Sequence, residues 1–126
     1  MKITSFNPLI VTKDAESVIR LFEEMGFEKR HNLQANTGAI DFNSVRMRDA
    51  GGFHVDVANI PTMERDMTLI RVNVDDFDEA RAFLTEKGFV NPRGDHTVDT
   101  KSNKSCMMIS PSGFAFDLCQ HIREHD

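Results

Sequence analysis

The stretch GGFHVDV, residues 51–57, returns near the end of the chain as SGFAFDL, residues 112–118. The glycine, the phenylalanine and the aspartate recur at the same spacing, with Asp56 repeated as Asp117, 61 positions further on. Each copy alternates apolar with other residues, which is the pattern of a strand with two different faces. A strand that is written twice predicts a supersecondary unit that is written twice.

A second block, upstream of the first, repeats with an offset of 62. Its anchors are Asp14, Gly26 and Phe27, which recur as Asp76, Gly88 and Phe89. Aspartate suits the N-cap of a helix and glycine its end, so the spacing predicts helices over 14–25 and 76–87. The apolar residues expected to lie on the core are Val18, Leu21, Phe22 and Met25 in the first helix and Ala80, Phe83 and Leu84 in the second.

Each copy reads as a strand, a helix and three strands. Strands are predicted near 5–12, 26–33, 39–48 and 53–59 in the first copy, and near 67–74, 89–94, 104–110 and 114–121 in the second. We therefore expect an α+β fold of two βαβββ modules in tandem that form a cleft, with the helices on the outer face. At 126 residues the chain is predicted to be a single domain over 1–126, with module 1 at 1–60 and module 2 at 66–122.

One helix covers only one face of each sheet, so the other face should line the cleft between the modules. Within 53–57 the odd-numbered side chains are expected on the helix side and the even-numbered ones in the cleft. A hairpin slip of one residue would reverse the inward assignment of Arg46 and Arg48. The residues predicted to line the ligand-binding cleft are Asn7, Arg46, Arg48, His54, Asp56, Leu69, Arg71, Asn73, Asp117 and Cys119.

Composition and charge exclude several classes of partner. Fifteen basic and twenty acidic residues give a net charge of -5, and no cluster of Lys and Arg is long enough to follow a phosphate backbone, so nucleic acid is not expected. The longest unbroken apolar run is CMMI, residues 106–109, so no membrane segment is predicted and a cytoplasmic location is expected by default. Cys106 and Cys119 are expected to be reduced.

The chain resembles the vicinal oxygen chelate superfamily, which includes glyoxalase I, extradiol dioxygenases, fosfomycin-resistance enzymes and bleomycin-binding proteins. The resemblance covers residues 5–121. It rests on the paired modules, on the run D-x-x-x-x-x-x-L-F-E-E-M-G-F from Asp14, and on the two G-F-x-x-D strands. It implies a glyoxalase-like fold, a small-molecule ligand and a homodimer, whereas the activity stays open because one scaffold hosts many chemistries.

Metal-using members of that superfamily take ligands, usually His or Glu, from the first and last strands of each module. The positions that match are Asn7, Asp56, Leu69 and Asp117. Leucine cannot ligate a metal, and asparagine is a weak donor for transition metals. No resident cofactor is therefore expected. The alternative is a divalent metal (nickel, manganese or zinc) held by Asp56 and Asp117 with His54 or His121.

Three functions stay open at this level. The first is a metal-independent protein that binds a small molecule in the cleft, as bleomycin-binding proteins do. Its acidic net charge favours a cationic guest, whereas an inward Arg71 would bind a carboxylate or phosphate. The second is a divalent-metal lyase, isomerase or thiol transferase that uses Asp56 and Asp117, and the third is an accessory or regulatory domain. Both aspartates also have a non-catalytic interpretation, as ion pairs with Arg46, Arg48 or Arg71.

Overall fold

A computed structural model describes residues 1–36, 41–94, 97–99 and 103–121 of the chain. Side chains are described for these residues except 31–36, 41–43, 98, 99 and 121. The element order is strand, helix and three strands, followed by the same series again. The α+β class and the βαβββ order predicted from the repeats are confirmed.

The chain divides into two compact units. The first unit is Asn7–Thr68, and the second unit is Met1–Phe6 together with the residues from Leu69 onward. The first six residues therefore group with the second half of the chain. Strand β1 (Ile3–Thr12) contributes residues to both units.

The first unit is a four-stranded sheet with one helix. Its elements are β1 from Asn7 onward, α1 (Ala15–Glu24), β2 (Glu28–Asn36), β3 (Asp41–Arg48) and β4 (His54–Asn59). The strand order is β2-β3-β4-β1, in which β1 runs parallel to β4 and the other pairs are antiparallel. In this register Leu9 and Arg46 are the two neighbours of Asp56, one on each side.

The second unit repeats this plan with a shorter edge. Its elements are the start of β1, β5 (Met67–Val74) from Leu69 onward, α2 (Phe77–Glu86), β6 (Val98–Asp99), β7 (Asn103–Ile109) and β8 (Ala115–His121). The strand order is β1-β5-β8-β7-β6, with β5 parallel to β8 and the β7 pairs antiparallel. Arg71 and Met107 are the neighbours of Asp117.

Both helices begin at the predicted aspartates. Asp14 accepts hydrogen bonds from the hydroxyl of Ser17 (2.7 Å) and from its backbone N–H (3.2 Å), and these bonds lower the pKa of the Asp14 carboxyl. Asp76 accepts a hydrogen bond from the backbone N–H of Glu79 (3.0 Å). The aspartates therefore satisfy N–H groups that the first helical turn leaves without an intrahelical partner.

The predicted apolar faces of the helices are wrong at three positions. Leu21 is 53% exposed, Met25 63% and Phe83 46%. The side chains that pack on the first sheet are instead Ala15, Val18, Ile19 and Phe22. At 3.6 residues per turn, Leu21 and Phe83 each lie roughly a third of a turn from the centre of the packed face. The predicted and the observed apolar stripes of α1 share Val18 and Phe22. The observed stripe also contains Ala15 and Ile19, so it begins about one turn earlier in the helix.

The strand predicted at 89–94 is also wrong. Within this segment only Val90 pairs, in an isolated bridge to Ile109, and the neighbour of β7 is β6. Asn91 starts a turn, since its side chain accepts from the N–H of Arg93 (2.9 Å) and its carbonyl from the N–H of Gly94 (3.0 Å). Pro92 lies inside that turn and has no N–H to donate to a ladder.

The repeated strand shows the expected alternation except at its start. Val55 and Val57 pack toward α1, whereas Phe53 precedes β4 and is 71% exposed, contrary to the prediction. The N–H and carbonyl of Phe53 are both bonded to Asp49, at 2.9 and 3.1 Å, so Phe53 belongs to the turn. Neither helix in the described ranges is long and apolar enough to cross a membrane.

Candidate ligand-binding faces of the two units

Each sheet carries its helix on one face, and we call the opposite face the helix-free face of that unit. In the first unit, Met47, Val55 and Val57 form the core beneath α1. Because side chains alternate along a strand, Arg46 and Asp56 lie on the helix-free face. The hairpin register predicted from the sequence is the observed one.

Asp56 is the central charged group of the first unit. Its side chain is 0% exposed and receives the guanidinium of Arg46 from β3. Nε of Arg46 donates to Oδ1 at 3.2 Å and Nη2 to Oδ2 at 3.5 Å, the two-pronged arrangement that guanidinium and carboxylate groups favour. Arg46 keeps 25% of its side chain exposed, so the pair extends from the interior toward solvent.

The other predicted residues of the first unit do not converge on Asp56. Asn7 is buried, and its Nδ2 donates to the carbonyl of Pro8 at 3.0 Å. His54 and Arg48 are register partners at the exposed end of β3 and β4. The structure therefore unites Arg46 with Asp56 and leaves the histidine at the surface.

The second unit contains the equivalent acid, also bound by an arginine. Nε of Arg71, on β5, donates to Oδ2 of Asp117, on β8, at 2.8 Å. The two side chains are 9% and 17% exposed. The sequence left two roles open for Arg71, a cation that binds a ligand anion or a salt bridge to Asp117, and the structure shows the salt bridge.

The two units deliver the arginine from opposite sides of the aspartate strand. In the first unit Arg46 comes from the antiparallel neighbour and Leu9 occupies the parallel neighbour. In the second unit the arginine is on the parallel neighbour, and Met107 takes the antiparallel position. Each of the two aspartates thus has one guanidinium and one apolar flank, although the sequence positions that supply them are exchanged.

Asn73 lies one alternation beyond Arg71 on the same face of β5 and is 1% exposed. Its Nδ2 donates to the hydroxyl of Ser5 at 2.7 Å. Its Cα partner is Cys119, which is buried and whose thiol lies 3.6 Å from the carbonyl of Asp117. Leu69, at the start of the same row, is also buried. Four of the predicted residues, Leu69, Arg71, Asn73 and Cys119, are therefore buried neighbours on this face.

Sequence reasoning missed two serines of this face. Ser5 holds the Asn73 amide, and Ser105 is the buried register partner of Cys119. Alternation with Asn7 would have placed Ser5 on the inner row. Ser105 could not be found that way, because its position depends on the register between β7 and β8.

The two cysteines lie on opposite faces of neighbouring strands. Cys106 belongs to the core beneath α2, whereas Cys119 lies on the helix-free face, and neither is part of a disulfide. Burial raises the pKa of the Cys106 thiol. That both cysteines are reduced stays a prediction, and the burial of Cys106 in the core makes it a packing residue rather than a nucleophile.

The residues at the matched metal positions do not fit a metal centre. No group of three or more His, Cys, Asp or Glu side chains suited to a metal occurs among the described residues; the side chain of His121 lies outside them. Leu69 offers no donor atom, and Asp56 and Asp117 each share a carboxylate with a guanidinium. A metal ion would have to compete with those two internal cations.

Two open grooves lie on the opposite, helix-bearing side. One, of about 580 Å³, runs beside α1 and includes Val45 and Val57; the other, of about 680 Å³, runs beside α2 and includes Phe89 and Met108. Arg81 crosses the second groove and donates to the carbonyl of Gly94 at 3.1 Å. The grooves occupy equivalent places along the two helices, so they are features of the fold and do not coincide with the polar faces.

Two βαβββ units, each with a helix on one sheet face, are the architecture of the glyoxalase-like class of α+β proteins. No protein-family model matches the chain, and no curated protein matches it. Solved structures do. Methylmalonyl-CoA epimerase from Mycobacterium tuberculosis is similar with a TM-score of 0.73 and 10% identity, over 96% of this chain and 90% of that one.

Two further structures extend the likeness. A Streptomyces coelicolor methylmalonyl-CoA epimerase variant, in complex with 2-nitronate-propionyl-CoA, matches with a TM-score of 0.68 and 13% identity over 97% and 100% of the two chains. A glyoxalase/bleomycin resistance protein/dioxygenase superfamily member from Vibrio splendidus 12B01 matches with a TM-score of 0.62 and 17% identity, over 94% of this chain and 99% of that one. The chain has the fold of the vicinal oxygen chelate superfamily, as the sequence resemblance predicted.

Proposed function

We propose that this protein binds a small organic molecule on its helix-free faces without a resident catalytic metal. The observation that supports this most directly is the pairing of both candidate acids, Asp56 with Arg46 and Asp117 with Arg71. A carboxylate that is already neutralised by a guanidinium is a poor metal ligand, because the incoming cation meets a like charge at close range. We further propose that the protein is a homodimer, as the superfamily resemblance implies.

The same ion pairs favour a ligand of low net charge. Arg46 and Arg71 each have an aspartate as counter-ion, so these two arginines leave no unbalanced buried charge among the described side chains of the two faces. A strongly charged guest would have to desolvate without a compensating partner. An uncharged or zwitterionic polar molecule therefore suits these faces better than the cationic guest that the net charge of -5 suggested.

The second candidate is a divalent-metal lyase, isomerase or thiol transferase of the same superfamily. It is favoured by the likeness to methylmalonyl-CoA epimerases, one of which was solved with a CoA-linked ligand. In this chain that chemistry would require Asp56 and Asp117 to leave their arginines for a metal. Metal content therefore separates the two candidates.

Elemental analysis of the purified protein after dialysis tests metal independence. We expect nickel, manganese and zinc each to remain far below one equivalent per chain, and refolding in their presence to leave the content unchanged. One equivalent of any of them, retained through dialysis, would overturn the first proposal in favour of the second.

Dye-based thermal unfolding against neutral polyols and amides, carboxylic acids and cationic antibiotics tests ligand binding. A ligand present at a hundredfold excess over its Kd should raise Tm by about 5 °C or more. The Arg71→Gln variant should lose that response. The matched control is Arg20→Gln, which removes an exposed arginine paired only with Glu16 on α1 and should keep it. If no compound raises Tm, the result would count against the proposal.

A further inference from the structure

The amide of Asn73 is half satisfied. It lies in the middle of β5 at 1% exposure, where Nδ2 donates to the hydroxyl of Ser5 at 2.7 Å. Oδ1, on the other side of the amide, is buried and has no hydrogen-bond partner within the part of the chain that the structure describes. Most buried polar side-chain atoms in folded proteins have a partner, so such a carbonyl calls for a donor.

The position of this acceptor links it to the ion pair. Asn73 and Arg71 are two residues apart on one strand face, which places their Cα atoms about 6.5–7 Å apart. Cys119, the Cα partner of Asn73, follows Asp117 at the same interval on β8. Asp117 keeps 17% of its side chain exposed. The group of neighbouring polar side chains formed by Asn73, Arg71 and Asp117 is therefore accessible to solvent at Asp117.

We infer that Asn73 is a specificity-determining residue, whose Oδ1 accepts a hydrogen bond from a hydroxyl or amide N–H of the ligand. This inference rests on the proposed function and narrows it. The ligand class is an uncharged small molecule with a donor group placed to reach Oδ1 when the molecule lies along the Arg71–Asp117 pair. Nδ2 is the atom bonded to Ser5, so the side of the amide without a hydrogen bond is the carbonyl oxygen, an acceptor that selects donors.

The selection has a physical basis in the cost of an unmade bond. A ligand with a donor forms a hydrogen bond to Oδ1. The same molecule without that donor leaves the buried carbonyl without a hydrogen bond. Sites that hydrogen-bond a ligand group discriminate strongly against analogues that lack it. A methoxy analogue is an acceptor only and places two oxygens against each other.

Three small amides form the probe set: lactamide with a hydroxyl, propionamide without one, and 2-methoxypropionamide with an acceptor alone. Binding is followed by NMR titration of the 15N-labelled protein, including the side-chain amide signal of Asn73. In the wild type we expect lactamide to bind about tenfold more tightly than propionamide, the ratio typical of one good hydrogen bond, and 2-methoxypropionamide to bind most weakly.

Two variants separate the acceptor from the fold. Ser5→Ala removes the hydroxyl that is bonded to Nδ2 and keeps Oδ1, so the preference for lactamide should persist. The double variant Ser5→Ala with Asn73→Leu replaces both partners by apolar groups of similar shape, a change that folded proteins tolerate well. In that variant we expect lactamide and propionamide to bind equally.

The outcomes are distinguishable. A lactamide preference that survives in the double variant would overturn the inference, as would a wild type that binds all three amides alike; binding itself would then still support the proposed function. A wild type that binds none of the three amides would overturn the inference, and silence across the full thermal-shift panel would overturn the proposed function as well.

Discussion

At the scale of single residues, one buried and one half-buried aspartate each take an arginine as counter-ion, but from different strands. Asp56, at 0% exposure, cannot be carried into the fold as an isolated charge, and Arg46 supplies the counter-charge from β3. Asp117 draws its arginine from β5 instead. Because the arginine positions are exchanged between the units while the pairing is kept, the pair itself is the feature that both units maintain.

The Arg46–Asp56 pair makes a testable contribution to stability. Arg46→Met leaves a fully buried carboxylate without its guanidinium, and we expect the free energy of unfolding to fall by about 3 kcal/mol. The double variant Arg46→Met with Asp56→Leu should recover most of that loss, since no charge is then buried. Urea denaturation at pH 7 measures both.

Arg20→Met is the control for that comparison, because Arg20 and Glu16 form an exposed pair on α1. It should change the unfolding free energy by less than about 0.5 kcal/mol. If Arg46→Met proves no worse than Arg20→Met, groups other than Arg46 stabilise the buried carboxylate, and the guanidinium is not its essential counter-charge.

The charged and polar residues of the candidate site show which of its features the sequence alone predicts. Alternation along β4 predicts the face of Asp56, whereas placing Arg46 on the same face also required the register of the β3–β4 hairpin, which a slip of one residue would have reversed. The pairing of Arg71 with Asp117 needed the knowledge that β5 lies beside β8, 46 positions away in sequence. Burial of Asn73 and its bond to Ser5 depend on packing between strands distant in sequence, which no local pattern encodes.

At the scale of elements, capping and periodicity predicted both helices, and the packed face of each was misjudged by a fraction of a turn. Asp14 and Asp76 cap their helices as expected. The exposed Leu21 and Phe83 occupy equivalent positions. Periodicity fixes the spacing of a stripe but leaves its centre to the sheet, so a helix whose apolar residues extend beyond the face that packs has two acceptable orientations.

The equivalent glycines after the helices offer a matched pair of substitutions. Gly26 and Gly88 have φ of +105° and +96°, a conformation that costs an L-residue roughly 1–2 kcal/mol. A Cβ at Gly88 would also meet Cγ of Pro111 at 2.9 Å, whereas a Cβ at Gly26 meets nothing within 4 Å.

We therefore expect Gly88→Ala to lower the unfolding free energy by more than Gly26→Ala, with the second variant losing about 1 kcal/mol. Chemical denaturation of the two variants in parallel provides the measurement. Adding Pro111→Ala to Gly88→Ala should bring the loss close to that of Gly26→Ala. Equal losses in the two single variants would show that Pro111 gives way without cost.

At the scale of the whole molecule, the chain order and the structural units do not coincide. Residues 1–6 come first in the sequence but group with the residues from Leu69 onward. The N–H of Lys2 donates to Oδ1 of Asp75 at 2.6 Å, and the N–H of Asp75 donates to the carbonyl of Lys2 at 3.0 Å. The N-terminal amine also forms an ion pair with Glu79, which raises the pKa of that amine.

Removal of residues 1–6 should therefore weaken the second unit selectively. The truncated chain loses the Lys2–Asp75 hydrogen bonds and the Ser5 partner of Asn73, a loss of about 1–3 kcal/mol, and it leaves β5 with an unpaired edge at that end. Native-state amide exchange should accelerate about tenfold or more in β5 and β8 and change little in β3 and β4.

The double substitution Ile3→Ser and Phe6→Ser is the control, since both side chains are more than half exposed and the backbone bonds remain. Because the hydrogen bonds lost belong to the second unit alone, equal acceleration in both units, or acceleration in the control, would mean that the first six residues stabilise the molecule by some route other than pairing with β5.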